Sequence, residues 1–269
     1  MEIKEYVKER KAYLTDLINH LPVPPKLVII QVNEDEASMA YIRGKIKDLS
    51  TINANYEHIK LPLDISEEAL LSVIEQYNHD ETVDGILVQM PLPKGIDEEK
   101  VKEAVTPLKD VDGFHPLSSY IPCTPKGIID YLENEKIEFS GKNAVVIGRS
   151  NIVGKPMAKL LLNKNCNVTV LHSKTTKEDM AFYLKHADIV VVAVGRKYFI
   201  DEQELKKSAV IVDVGINRVD GILYGDCRPN LDVKLQTPVP GGVGLLTRLS
   251  MLENLILCYK KRRGLKDEF

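Results

Sequence analysis

The feature that most constrains this chain is a glycine-containing loop between a strand-like run and a helix-like run. Residues 144–147 are all apolar, the loop covers 148–156, and 157–163 has a helical pattern. A strand that leads through a glycine turn to a helix N-terminus offers unpaired backbone N–H groups and the positive end of the helix dipole, and both favour an anion. The loop therefore indicates a nucleotide-binding βαβ unit.

The spacing of the two loop glycines does not by itself identify the nucleotide. Gly148 and Gly154 depart from the common G-x-G-x-x-G pattern, so an ordinary structural turn is the alternative. The next predicted strand is more informative, because no carboxylate occurs between residues 167 and 177. An NAD site usually places an acidic residue there, whereas an NADP site uses cationic or hydroxyl groups. Arg149, Ser173 and Lys174 therefore favour NADP, unless Lys174 simply belongs to a solvated face.

Short apolar runs alternate with amphipathic stretches along most of the chain, a pattern typical of βα units and parallel sheets. We therefore predict an α/β fold with two domains. An N-terminal βα domain precedes a Rossmann-like domain with a parallel sheet, and the C-terminal helix returns to the first domain. Strands are predicted over 26–32, 56–61, 85–90, 143–147, 167–171, 187–194 and 209–214, and helices over 36–49, 66–78, 156–163, 177–185 and 245–261.

The domain boundary is predicted where proline and glycine interrupt the periodicity, between residues 112 and 125. The first domain is predicted to cover 1–116, completed by 245–269, and the second to cover 117–244. A second interrupted stretch, 237–244, precedes the last helix. Crevices between domains are common places for ligands.

Composition excludes several classes of protein. The 269 residues are 44% hydrophobic and 28% charged, as in ordinary globular proteins, and a net charge of −3 gives no reason to expect nucleic acid. The four scattered cysteines suggest neither a disulfide framework nor a metal site. The charged N-terminus is unlike a signal peptide, and no apolar run approaches the roughly 18 residues of a membrane span. We therefore expect a cytoplasmic protein.

Polar residues in the first half form a candidate constellation. Tyr41 and Lys45 are four residues apart, so they share one helix face. A Tyr-x-x-x-Lys pair occurs in short-chain dehydrogenases, but there it follows the nucleotide loop, and here it precedes it. Gln89 lies in an otherwise apolar predicted strand, where it is either a satisfied core amide or a ligand-facing one. Asp110 and Asp112 are either turn formers or hydrogen-bond acceptors for a ligand.

Together these segments resemble the bifunctional methylenetetrahydrofolate dehydrogenase/cyclohydrolase family. The resemblance implies NADP-dependent oxidation of 5,10-methylenetetrahydrofolate to the 5,10-methenyl form, hydrolysis of that product to 10-formyltetrahydrofolate, a role in one-carbon metabolism and purine biosynthesis, and a homodimer. The matching segments follow the family order and cover 37–47, 85–93, 109–116, 122–125, 148–156, 213–217 and 237–244.

The resemblance also implies roles for individual residues. Lys45 is the implied catalytic amine, Gln89 assists it, Tyr41 stacks near the aromatic part of the folate, and Asp112 holds the pterin. Pro240, Gly244 and Thr247 are implied to contact the substrate as well. The implied cofactor-binding residues are Gly148, Arg149, Ser150, Val153, Gly154, His172, Ser173, Gly195 and Ile216.

The residues agree with the implied chemistry. Removal of a hydride from the methylene bridge leaves a cation stabilised by two nitrogens, so this step needs no protein base. Ring opening needs an activated water, and Lys45 can move the protons if burial and the substrate cation lower the pKa of its amine.

One departure from the family pattern leaves a rival function open. Only residues 116–121 separate His115 from Pro122, where relatives usually carry a longer insertion. A dehydrogenase with weak or absent cyclohydrolase activity is therefore an alternative. A nucleotide-binding protein without turnover is a third hypothesis.

Overall fold

The computed structural model describes residues 1–201 and 204–266, and the chain divides into two compact units. We call Lys8–Cys123 together with the chain from Arg248 onward the N-terminal unit, and Met1–Val7 together with Thr124–Thr247 the central unit. The compact units thus change over after residues 123 and 247, whereas the predicted domains change over after 116 and 244. Which ligand each domain binds stays a prediction.

The N-terminal unit contains a three-stranded parallel sheet in the order β2-β1-β3. The strands are β1 (Lys26–Gln31), β2 (Asn55–Lys60) and β3 (Gly85–Val88). All four residues of β3 are buried, as expected for a strand covered on both faces. The helices in this part of the chain are α1 (Ile3–Asn19), α2 (Glu36–Thr51), α3 (Glu67–His79) and α4 (Glu98–Ala104).

Helix α3 shows how the local sequence specifies an element. The Ser66 side chain caps the helix by accepting a hydrogen bond from the backbone N–H of Ala69. Glu67 and Glu68 lie in the first turn, where negative charge complements the helix dipole. Leu70 and Ile74, one turn apart, are buried in the core.

The central unit contains a five-stranded parallel sheet in the order β10-β7-β6-β4-β5. Because β5 and β6 lie on opposite sides of β4, the strand order reverses at β4, and ligands of such sheets bind beyond the carboxyl end of that strand. The strands are β4 (Asn143–Ile147), β5 (Asn167–Leu171), β6 (Ile189–Val192), β7 (Val210–Asp213) and β10 (Leu235–Gln236); β8 (Asn217–Val219) and β9 (Ile222–Tyr224) form an antiparallel hairpin.

Three helices complete the central unit, and α1 and α8 each contribute residues to both units. Helices α5 (Cys123–Asn134), α6 (Gly154–Asn163) and α7 (Lys177–His186) accompany the sheet. The last helix, α8 (Val243–Arg262), begins in the central unit and continues in the N-terminal unit from Arg248. This confirms the predicted two-domain α/β fold with a returning C-terminal helix.

Several elements were not predicted or have different limits. The sequence predictions omitted α1, α4, α5, the β8–β9 hairpin and β10. The predicted strand 85–90 ends at Val88, so Gln89 follows the strand rather than lying in it. Helix α1 has a visible signal in hindsight, because Leu14 and Ile18 are one turn apart and buried.

Other expectations concern thiols, metals and membranes. All four cysteines are buried free thiols. Within 1–201 and 204–266, no group of three or more His, Cys, Asp or Glu side chains is arranged to hold a metal ion. None of the helices in these ranges combines the length and apolar character needed to cross a bilayer.

The tight packing at the start of β3 generates a stability test. A Cβ on Gly85 would lie 2.4 Å from Cγ1 of Val111 and 2.9 Å from Cδ1 of Leu255. We expect Gly85→Ala to lower the free energy of unfolding by about 1–3 kcal/mol in urea denaturation, because the core is overpacked. Adding Val111→Ala removes the nearer methyl group, so the double variant should lose less stability than the sum of the single losses. Additive losses would contradict this packing.

Candidate active site

Helix α2 places a lysine inside the N-terminal unit. The Lys45 side chain is buried, with 6% of its surface exposed, and its neighbours Ile42 and Leu49 on the same helix belong to the core. Its Nζ lies 5.1 Å from the centroid of the Tyr41 ring, one turn earlier on the helix, at a distance typical of a cation–π contact. The predicted Tyr41–Lys45 pair is thus formed, but the lysine is enclosed rather than solvated.

Gln89 is the hydrogen-bond partner of this amine. Lys45 Nζ donates to Gln89 Oε1 at 3.0 Å, in a buried contact. The other end of the amide is also fixed, because Nε2 donates to the backbone carbonyl of Met90 at 2.7 Å. The backbone N–H of Gln89 donates to Ile30 O at 2.8 Å, which holds the residue beside β1. Gln89 is therefore a fully held amide that presents its carbonyl oxygen to Lys45.

The surroundings of Lys45 determine its protonation. Burial is the main cause that lowers the pKa of Lys45, because an ammonium ion loses hydration inside the protein. The nearby Asp112 carboxylate and Cys123 thiol act in the opposite direction, and the positive charge of Arg248 lowers the pKa of Lys45 further. The net direction is downward, which favours the neutral amine that proton transfer requires.

The two aspartates at the end of this unit have different roles. Asp110 is buried, and its carboxylate accepts hydrogen bonds from the backbone N–H groups of Gly113 and His115 at 3.0 and 2.9 Å. Asp110 is thus a turn former. Asp112 is partly buried, and burial raises its pKa to about 6, an effect that Lys45 opposes and Asp110 reinforces. Asp112 is therefore the aspartate that interacts with the amine.

Across the short linker after His115, the chain turns back so that Pro122 lies close to Gly113. Gly113 has a positive φ of +71°, and a Cβ there would lie 2.8 Å from Pro122 N, so glycine is required at this approach. Asn254 Nδ2 on α8 donates to Val111 O at 2.9 Å and to Ile121 O at 3.1 Å, which fixes the last residue of the linker and the segment before it. The linker is thus an anchored turn.

In the central unit, the predicted nucleotide loop begins directly after β4. Gly148 has φ +116°, and a Cβ there would lie 2.3 Å from the carbonyl oxygen of Ala193. The Gly148 N–H donates to Leu171 O at 2.9 Å, which joins the loop to the end of β5. Only glycine fits this position, and the position is the point where the strand order reverses.

The loop then closes onto the N-terminus of α6. Ser150 Oγ accepts hydrogen bonds from the N–H groups of Val153 and Gly154, at 3.2 and 3.3 Å. A Cβ on Gly154 would lie 2.3 Å from Gly148 O, so the loop can turn this tightly only because residue 154 has no side chain. Arg149 and Ser150 are exposed beside the positive end of the helix dipole.

The end of the neighbouring strand adds further polar groups. Because β4 and β5 pair in parallel with Ile147 opposite Leu171, the segments that follow them leave the same edge of the sheet. His172 is partly buried there, and Ser173 and Lys174 are exposed. With a helix N-terminus, exposed cations and no carboxylate, these residues fit the phosphate groups of a dinucleotide.

Asp226 is a supporting residue that sequence reasoning missed. Its fully buried carboxylate accepts hydrogen bonds from the backbone N–H groups of Val194, Gly195 and Arg196, at 2.7, 3.0 and 2.8 Å. It also accepts from Asn217 Nδ2 at 2.9 Å. Asp226 thereby fixes the segment of Gly195, a predicted cofactor-binding residue. Its only sequence signal is a Gly-Asp pair after a weak strand.

The remaining predicted residues lie in the central unit. Thr247 Oγ1 lies 2.9 Å from Thr124 Oγ1, and a Cβ on Gly244 would lie 3.9 Å from Ile216 Cδ1. Pro240 is exposed and follows a cis peptide bond. The structure thus brings Tyr41, Lys45, Gln89 and Asp112 together in one unit, and the roles of the others stay predictions.

Comparison with known proteins agrees with both halves of this description. Residues 1–112 match the family model described as the tetrahydrofolate dehydrogenase/cyclohydrolase catalytic domain. Residues 122–263 match the model described as the NAD(P)-binding domain of the same family. A similar curated protein is the bifunctional protein FolD of Staphylococcus epidermidis, which is 46% identical over 279 aligned residues covering 97% of this chain and 96% of that protein.

Solved structures show the same similarity. The bifunctional methylenetetrahydrofolate dehydrogenase/cyclohydrolase FolD of Campylobacter jejuni is 38% identical to this chain and superposes with a TM-score of 0.88. The match covers 97% of this chain and 95% of the other. The Trypanosoma brucei enzyme, solved with NADP cofactor and inhibitor, is 30% identical with a TM-score of 0.92, over 98% and 97% of the two chains.

The glycine at the end of β4 can be tested with a matched control. Gly148 and Gly221 both have positive φ, but a Cβ on Gly221 would meet no atom within 4 Å. We expect Gly148→Ala to lower the melting temperature and to abolish dinucleotide binding in calorimetric titration, because the methyl group would displace the backbone at Ala193. Gly221→Ala should show only the backbone cost of about 1–3 kcal/mol and normal binding. Equal behaviour of the two variants would contradict the steric requirement.

Proposed function

The chain belongs to the tetrahydrofolate dehydrogenase/cyclohydrolase family, and from this we propose that it is an NADP-dependent methylenetetrahydrofolate dehydrogenase with methenyltetrahydrofolate cyclohydrolase activity. The observation that supports the second activity best is the buried hydrogen bond from Lys45 Nζ to Gln89 Oε1. It holds an amine of lowered pKa beside an aromatic ring and a carboxylate.

The oxidation requires positioning rather than a protein base. Bound NADP⁺ supplies the hydride acceptor for this step. The residues proposed to hold it are those of the glycine loop and the neighbouring strand end, and the proposed NADP-binding domain covers 117–244. The substrate's two nitrogens share the positive charge of the methenyl product, so the protein has only to orient the folate. In the proposed folate-binding domain, 1–116 with 245–269, Tyr41 would stack on its aromatic part and Asp112 would accept from the pterin.

The hydrolysis requires proton transfer, which Lys45 can perform. As water attacks the methenyl carbon, the neutral amine accepts a proton from it, and the C–O bond forms. The C–N5 bond then breaks and the ammonium returns a proton to N5, while the hydroxyl on the former methenyl carbon releases its proton to solvent and becomes the carbonyl of the formyl group on N10. The net change is addition of one water and release of one proton. Gln89 Oε1 holds one N–H of the amine, which leaves its lone pair free to face the water.

We extend the proposal to assembly and location. A cytoplasmic homodimer in one-carbon metabolism, supporting purine biosynthesis, would suit this chain. Four free buried thiols are in keeping with a reducing compartment. Exposed apolar residues on the β8–β9 hairpin, Val219 and Ile222, offer an interface to a second copy. The net charge of −3 gives no support for a nucleic-acid or membrane partner.

Two progress curves test the proposed function. One follows NADPH formation from methylenetetrahydrofolate, and the other follows the loss of methenyltetrahydrofolate absorbance. Both signals support the bifunctional enzyme. The first signal alone would support a dehydrogenase with weak or absent cyclohydrolase activity, and neither signal would support a nucleotide-binding protein. A repeat of the first curve with NAD in place of NADP tests the cofactor, and a preference for NAD would contradict the proposal.

Replacement of the buried amine should separate the two activities. We expect Lys45→Met to lower the cyclohydrolase kcat by at least about a hundredfold, since general acid–base catalysis contributes about 10²–10⁴-fold. Dehydrogenase activity should persist, because hydride transfer does not use the amine. Lys47→Met is the matched control, because Lys47 lies exposed on the same helix. Full cyclohydrolase activity in Lys45→Met would contradict the proposed role.

The pKa of Asp112 predicts how the dehydrogenase activity changes with pH on the acid side. Burial raises this pKa to about 6, so the carboxylate is ionised above that pH and protonated below it. If the ionised form accepts a hydrogen bond from the pterin, kcat/KM for oxidation should fall as pH decreases through about 6. Asp112→Asn should have a low kcat/KM that no longer changes in this range. A variant that retains the wild-type profile would exclude Asp112 as its cause.

A further inference from the structure

The central unit contains two buried carboxylates that accept hydrogen bonds from the backbone. Asp213 is the last residue of β7, and Asp226 lies two residues after the end of β9. Only 2% of the surface of Asp213 and none of that of Asp226 is exposed. A buried carboxylate is tolerated only where donors replace its lost hydration. The donors to each aspartate therefore show which parts of the chain the pair holds in place.

Asp226 joins the segments that follow two neighbouring strands. Its Oδ2 accepts from the N–H groups of Val194 and Gly195, and its Oδ1 accepts from the N–H of Arg196, all in the segment after β6. Oδ1 also accepts from Asn217 Nδ2 at 2.9 Å, in the segment after β7. An ionised carboxylate has roughly four lone-pair sites, so these four donors use its whole capacity.

Asp213 supports the same arrangement from the end of β7. Its Oδ1 accepts from the N–H groups of Gly215 and Asp226 at 2.9 Å, and its Oδ2 accepts from the N–H of Cys227 at 2.8 Å. A Cβ on Gly215 would overlap the carboxylate of Asp226, and a Cβ on Gly225 would overlap that of Asp213. Each carboxylate thus packs against a glycine near the other one, and the two segments are held as one body.

These segments belong to one half of the sheet. Strands β6 and β7 pair in parallel with Val192 opposite Asp213, so the residues after both strands leave the carboxyl edge together. In a sheet whose strand order reverses, each half binds one mononucleotide of the dinucleotide. The glycine loop and the groups after β5 suit the adenosine half with its 2′-phosphate. The edge beyond β6 and β7 is then the place for the nicotinamide half.

We infer that Asp226, supported by Asp213, is a positioning residue that holds the segments after β6 and β7 as one surface for the nicotinamide half of NADP. The inference rests on the proposed function, because NADP is the proposed cofactor. Both carboxylates are buried, so they act through the backbone that they bind. Gly195 and Ile216, each predicted to contact the cofactor, lie in the two held segments.

Two ligands of different extent test the inference by calorimetric titration. NADP⁺ occupies both halves of the site, whereas adenosine 2′,5′-bisphosphate occupies the adenosine half alone. In Asp226→Asn, an NH₂ group replaces one acceptor oxygen and faces two of the four donors, whichever way the amide lies. We expect the Kd of NADP⁺ to rise at least about tenfold and that of the bisphosphate to change less than about twofold.

An exposed aspartate of the same unit provides the matched control. Asp232 has 80% of its side chain exposed, where it pairs with Lys207. Asp232→Asn makes the same chemical change without removing a buried acceptor. We expect it to leave both dissociation constants at their wild-type values.

A milder variant tests the connection between the two segments and serves if Asp226→Asn does not fold. Asn217→Ala removes one donor to Asp226 and leaves its three backbone donors in place. We expect a smaller rise in the Kd of NADP⁺, about threefold, with unchanged binding of the bisphosphate. Hydrogen exchange, followed by mass spectrometry, should become faster at 194–196 as well as at 215–217.

Steady-state rates separate positioning from general damage. In the dehydrogenase reaction of Asp226→Asn, we expect the KM for NADP⁺ to rise at least about tenfold and the KM for the folate to stay the same. Cyclohydrolase activity, measured without NADP⁺, should persist, because ring opening is proposed to use Lys45 in the N-terminal unit.

Three results would contradict the inference. An unchanged Kd of NADP⁺ in folded Asp226→Asn and Asn217→Ala would overturn it and leave the proposed function intact. An equal loss of affinity for NADP⁺ and for the bisphosphate would show that Asp226 only stabilises the sheet as a whole. A wild-type protein that neither binds nor reduces NADP⁺ would refute the proposed function, and the inference with it.

Discussion

The hydrogen bond from Lys45 Nζ to Gln89 Oε1 connects a helix to the end of a strand inside the N-terminal unit. A buried amine is tolerated only where its N–H groups are bonded, and Gln89 provides the acceptor because Met90 and β1 already fix its own amide and backbone. The Tyr41 ring lies beside the same amine, and the charge of the Asp112 carboxylate favours its protonated form. Burial and hydrogen bonding together make Lys45 a candidate proton carrier.

In the central unit the main constraint is that two positions of the nucleotide loop must lack a side chain. Gly148 and Gly154 allow backbone atoms to approach to distances that a Cβ would prevent, and this turns the chain sharply from β4 into α6. Asp226 supports the same edge of the sheet by collecting three backbone N–H groups on one carboxylate. One unit thus offers a side chain of shifted pKa, and the other offers a rigid backbone surface for an anion.

The features that could be predicted are those determined by residues close together in the chain. The capped start of α3, the apolar strands and the loop after β4 follow from periodicity, capping and glycine content. The limits of β3 differ from the predicted ones, because a hydrophobic run does not show where ladder pairing stops. The hydrogen bonds from residues 194–196 to Asp226 join segments far apart in the chain, and the periodicity near either segment does not indicate them. The resemblance to a family, rather than the pattern of residues, suggested that Lys45, Gln89 and Asp112 act together.

Neutron diffraction from deuterated crystals of the enzyme tests most directly whether the buried amine is a base. At mildly alkaline pH, we expect two deuterons on Lys45 Nζ, one of them directed at Gln89 Oε1, because burial, the largest effect on this group, favours the uncharged amine. Three deuterons on Nζ under these conditions would show an ammonium ion, and Lys45 could not then accept a proton from water.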